Sequence, residues 1–160
     1  MLIAVCLFAF TALAQNAATT TTVTSEANLP VVGLAASETV QINVVNLAAN
    51  SNSGTAASCV GSIAFYNSSG SAVGSAFPFT LGTGQISSAS LSYGKFSTGA
   101  ARITVRGVVS LTETVRSGVP CSLATNIETF DTGSGVTHMH VEGASLGVVQ
   151  IGPIALPGSH

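Results

Sequence analysis

The sequence predicts an all-β protein, an antiparallel β-sandwich of immunoglobulin-like arrangement with about seven to nine short strands and one disulfide. Three observations carry that expectation. Short runs of apolar and β-branched residues recur with a period of two, as in Thr39-Val40-Gln41-Ile42-Asn43-Val44 and Arg102-Ile103-Thr104-Val105. Clusters of Gly, Ser and Asn separate those runs, and no helical period links them. Two cysteines, Cys59 and Cys121, open two of the runs.

The first segment reads as a secretory leader. Residues 2 to 14 are apolar, too short to span a bilayer, and end in Ala12-Leu13-Ala14, the small-x-small pattern of a signal-peptidase site. Residues 1–14 are therefore expected to be a signal peptide, against the alternative of a buried N-terminal helix or strand. No Lys or Arg precedes the apolar run, which predicts a few residues missing from its start. Cys6 leaves with the leader, and two cysteines in an exported chain are expected to pair. Closing the span between Cys59 and Cys121 would stabilise the fold by about 4 kcal/mol. The alternative is a pair of buried free thiols.

Residues 15–28 are dominated by Thr, Ala and Asn and read as a flexible spacer. The sandwich proper is expected over residues 29–142. Pro30 precedes a short first strand, Val31 to Leu34, where a missing N–H does no harm. Thr39 to Val44 follows, with Val40, Ile42 and Val44 inward. Cys59 to Tyr66 is expected to be a central strand, with Cys59, Gly61, Ile63 and Phe65 on one face, and to neighbour the run Cys121 to Phe130. Ala72 to Leu81 carries Pro78 and so belongs at an edge. Gln85 to Tyr93 is a weaker, Ser-rich strand with Ile86 on one face and Ala89 and Leu91 on the other. Arg102 to Val109 turns Ile103, Val105 and Val109 inward and both arginines outward. Cys121 to Phe130 and Val136 to Val141 form a hairpin around Asp131 to Gly135. The apolar tail, residues 143–160, is expected to supply an extra strand, in its own sheet or donated to another molecule. The Trp that packs on the disulfide of antibody domains is impossible, because the chain has no Trp.

The residues Val32 to Ala48, the Cys59 strand, the two-arginine strand, and Cys121 followed by Glu128-Thr129-Phe130-Asp131 together resemble an uncharacterised family of small secreted bacterial β-sandwich proteins. The resemblance covers about residues 30 to 141. It implies export, a sandwich and a disulfide, and it implies no activity.

Charged residues make up 6% of the chain, against roughly 25% in an average globular protein. With a formal net charge of −2 there is no electrostatic reason to bind nucleic acid or an anionic membrane, and no membrane insertion is expected after leader removal. Phe130-Asp131-Thr132-Gly133-Ser134 matches the active-site loop of aspartic proteases, whose chemistry needs two carboxylates sharing a proton. The chain has one copy, and the same residues make a good hairpin loop. Gly143-Ala144-Ser145-Leu146-Gly147 fits the pattern of a nucleophile elbow, but no acid follows Ser145 and the required strand-to-helix turn is not expected. No catalytic residue and no cofactor is assigned.

His138 and His140, two apart on a strand, could chelate a metal with Glu128 or Glu142 as a third ligand. Arg102 and Arg106 share a strand face and could hold an anionic ligand. Each pair has a plainer reading as a solvated sheet face. The expected function is a secreted or cell-surface, non-catalytic structural or interaction module, assembling with itself or other surface proteins through sheet edges or the C-terminal strand. The alternative is a secreted binding domain for a small ligand, sugar or metal.

Overall fold

The computed structural model describes residues 22–48, 58–96, 99–114 and 120–147. The expected leader lies outside the described residues, as do the spacer up to residue 21 and the tail from residue 148.

Ten strands are present among the described residues: β1 (Thr22–Asn28), β2 (Val32–Ala35), β3 (Glu38–Asn46), β4 (Cys59–Tyr66), β5 (Ala72–Leu81), β6 (Ile86–Ser92), β7 (Arg102–Thr114), β8 (Ser122–Asp131), β9 (Thr137–Glu142) and β10 (Leu146–Gly147). A single 3₁₀ turn, Tyr93–Phe96, follows β6. The strands form two antiparallel sheets. In the first, β1 and β2 lie end to end along β7, followed by β4 and β5. In the second, β9 and β10 lie end to end along β8, followed by β3 and β6.

The alternating residues close a single core between the sheets. Val40, Ile42 and Val44 of β3 and Leu123 and Ile127 of β8 face Ile63 and Phe65 of β4 and Val105, Val109 and Leu111 of β7, all nearly inaccessible to solvent. Gly61 stands at an inward position because the ring of Phe79 occupies the space its side chain would need: an added Cβ would lie 2.5 Å from Phe79 Cζ and 2.2 Å from the Ser110 carbonyl oxygen. Antibody constant domains place strands A, B, E and D in one sheet and C, F and G in the other. Here β3 and β6 take the B and E places, and β4 and β7 take C and F. The flanks are exchanged: β1 and β2 stand beside β7, where the last strand would be, and β8 stands beside β3, where the first would be.

One expectation changes, and two gain detail. The spacer ends earlier than residue 28, because Thr22–Asn28 is a strand paired residue for residue with Thr114–Val108. Its threonines are β-branched and suit a pleated surface, and Ala27 alternates into the core. The Cys59 and Cys121 strands are neighbours across the sandwich and belong to different sheets. Both cysteines point inward, and the disulfide staples one sheet to the other with 5.7 Å between Cα atoms. The tail begins inside its own sheet, where Leu146 and Gly147 pair with Leu123 and Ser122. Near the disulfide, buried Asn46 adds a second tie between the sheets by donating to the Leu81 carbonyl at 3.0 Å.

Candidate functional site

The two arginines share the outer face of the first sheet but engage separate partners. Arg106 donates to Asn28 Oδ1 at 2.9 Å and lies 5.1 Å from the centre of the Tyr66 ring. Arg102 lies across Gly33 and lends positive charge to Glu38. The guanidinium groups therefore serve the surface of the sandwich and do not converge on a common point.

The two histidines are likewise drawn apart. A register shift between Thr129 and Phe130 leaves His138 as the extra residue of a bulge in β9, which removes it from the row that His140 shares with Glu128. His138 Nδ1 meets Glu38 Oε1 at 2.5 Å. His140 Nδ1 stands 3.9 Å from Glu128 Oε2. Among the described residues no group of three His, Cys, Asp or Glu side chains comes together to hold a metal ion. Glu38 is buried, and the Ala35 N–H at 2.6 Å, followed by His138, holds its carboxyl below the ordinary carboxylate range.

Asp131 closes its own hairpin loop. Its Oδ1 accepts from the Ser134 N–H at 2.7 Å, the Ser134 hydroxyl at 2.9 Å and the Gly133 N–H at 3.1 Å, and these bonds, Ser134 first, lower its pKa. Ser145 sits between two short strands, β9 and β10, with no helix after it among the described residues.

The residues that do converge lie on the outer face of the second sheet, at the outward positions of β9, β8, β3 and β6. Glu128 Oε1 accepts from Gln41 Nε2 at 3.1 Å and from Asn43 Nδ2 at 3.0 Å. Asn43 Nδ2 also donates to Asn126 Oδ1 at 2.8 Å. On the far side, the hydroxyls of Ser88 and Ser90 donate to Asn43 Oδ1 and Gln41 Oε1 at 2.6 and 2.8 Å. The result is a hydrogen-bonded ladder reaching from β8 to β6, which His140 extends to β9. Most side-chain hydrogen bonds in proteins go to backbone or water, so a chain of side-chain pairs is a fixed, pre-arranged surface. The ladder borders a cleft of about 290 Å³ whose walls include Asn126, His140, Glu142, Ser145, Val45 and Ile86.

The ladder ends at β6, the last strand of its sheet among the described residues. All seven residues of β6 pair with β3 without a register shift. The strand holds no proline, glycine or charge, and Ile86 at its start is 68% exposed. Beside it, between Gly74 and Phe77 of β5 and Ser90, Leu91 and Ser92 of β6, lies an open groove of about 380 Å³ reaching Lys95.

Sequence reasoning named His140, and Glu128 and Glu142 as its companions, but missed Gln41, Asn43 and Asn126 as a unit. The signal was present for the first two, as the polar positions of an alternating strand. Their meeting with Asn126 and Glu128 depends on β3 pairing with β8 across more than eighty residues of chain.

No protein-family model, curated protein or solved structure matches the chain. The Cys59–Cys121 disulfide, with no helix among the described residues long and apolar enough to cross a membrane, is compatible with an extracellular protein.

Proposed function

We propose that this chain is a secreted, non-catalytic interaction module that associates with further copies of itself, edge to edge, through β6. The observation that carries the reading is the contrast among the four sheet edges formed by the described residues. The edge formed by β1 and β2 is interrupted at Leu29 to Val31, with Pro30 in the gap, and the edge formed by β9 and β10 is interrupted at Gly143 to Ser145. β5 carries Pro78 and a bulge. β6 alone among them is regular, uncharged and unbroken, and such an edge offers free N–H and C=O groups to another strand.

The occupant that fits β6 is a second β6. Antiparallel pairing centred on Ala89 sets Ser88 of one copy opposite Ser90 of the other and Ile86 opposite Ser92, so no charge is buried and no bulky pair collides. A two-fold axis through that contact makes it self-complementary and closed. Export is supported by the leader-like N-terminal sequence and by the disulfide. The absence of catalysis is supported by the commitment of Asp131 to its own loop.

Analytical ultracentrifugation of the mature chain, intact and cut after Gly147, tests the reading. A dimer in both forms is expected, because the tail is not the contact. A strict monomer at all concentrations overturns it, and a dimer lost with the tail transfers the contact from β6 to a donated C-terminal strand.

A further inference from the structure

We infer that the cleft beside the ladder is a binding site for a neutral polyhydroxylated ligand, a sugar ring, held at Asn126, His140, Glu142 and Ser145. This goes beyond self-association and rests on a separate observation, the chemistry of the cleft walls. The Asn126 carbonyl is occupied by Asn43, which fixes the orientation of the amide and leaves its two N–H donors for a ligand. Glu142 and Ser145, both exposed, line the same cleft, and their side chains have no hydrogen-bond or ionic partner among the described residues. Donors and acceptors therefore alternate along one wall, the pattern that vicinal hydroxyls match. Across from them, Ile86 and Val45 form an apolar shelf on which the C–H face of a ring can rest.

Charge narrows the class. Glu142 lines the cleft and Glu128 stands just behind His140, while no Lys or Arg among the described residues lines it, so anionic ligands are repelled. Because Asn43 and Asn126 are already fixed by the ladder, binding orders few further side chains.

The test is an amide-resolved NMR titration of the full mature chain with glucose, mannose, N-acetylglucosamine and cellobiose. Glucose 6-phosphate serves as the anionic arm and choline as the cationic arm. Neutral sugars are expected to shift the amides of Asn43, Asn126, His140 and Glu142 to Ser145 saturably at millimolar concentration, with the phosphate ester weaker than glucose. Asn126→Ala and Ser145→Ala together are expected to weaken binding at least about tenfold, the loss of one or two hydrogen bonds, with the spectrum otherwise unchanged. Since the Ser145 side chain makes no hydrogen bond among the described residues, Ser145→Ala alone keeps the test valid if Asn126→Ala disturbs the sheet. No saturable shift with any neutral sugar, a response to choline alone, or equal binding by the double variant overturns the inference.

Discussion

β5 and β6 stand side by side on the open flank of the sandwich, and they manage the same exposure in opposite ways. In β5, the residues Gly74 to Ala76 sit against Ala64 alone, because Ile63 pairs with Phe77 while Phe65 pairs with Val73. Gly74 adopts φ 75°, and Pro78 removes a backbone donor. Phe77 is left 38% exposed, in edge contact with Phe65 at 6.1 Å. β6 has none of these breaks. Its Ser88 and Ser90 turn toward β3 to bond Asn43 and Gln41, and the strand carries no charge. The comparison teaches that edge protection here comes from backbone irregularity, since charge is scarce, and that among the described residues β6 is the edge without it.

The largest expected effect comes from releasing the frame that holds both edges. Cys59→Ala with Cys121→Ala should lower stability by about 4 kcal/mol, the chain-entropy value for a separation of 62 residues, read by urea unfolding. Next is Gly61→Ala. Its methyl group must displace both Phe79 of β5 and the β7 backbone at Ser110, at about 3 kcal/mol, and should disturb β5 while β6 keeps its pairing with β3, visible as hydrogen-exchange protection lost on one strand and kept on the other. Pro78→Thr sharpens the contrast from the other side: it restores a donor to β5 and should add slow, concentration-dependent higher oligomers seen by light scattering.

The smallest effect lies away from both edges and serves as a control. The Glu38 pKa is lowered in the folded state, so its contribution is complete above the ordinary carboxylate pKa and is lost as the pH falls through the lowered value. Glu38→Gln should cost about 1 kcal/mol at neutral pH and flatten the acid limb of the stability profile, with the association constant unchanged.

The sequence made some of this visible and hid the rest for physical reasons. Val40, Ile42 and Val44 announced their faces because alternation is local, and Pro78 announced an edge because its own chemistry forbids a central place. Thr22–Asn28 was masked by a composition shared with linkers, although Val23, Ser25 and Ala27 already alternated with polar residues. The contact between Glu38 and His138 joins residues 100 apart and depends on a one-residue bulge that no pattern in β9 marks. β6 looked merely weak, a Ser-rich run with one isoleucine. Its status as the unguarded edge is conferred by the order of strands around it, and the same order carries Asn43 to Asn126 and creates the cleft.

The most direct measurement of the central claim is sedimentation equilibrium of two paired variants of residues 15–160. Ile86→Lys with Ser92→Lys places like charges opposite each other at both ends of the β6 contact and should yield a monomer. Ile86→Lys with Ser92→Glu places opposite charges there in the same register and should restore the dimer, with an affinity that falls as salt is added. Equal association by the two variants would contradict pairing of β6 with β6 about Ala89.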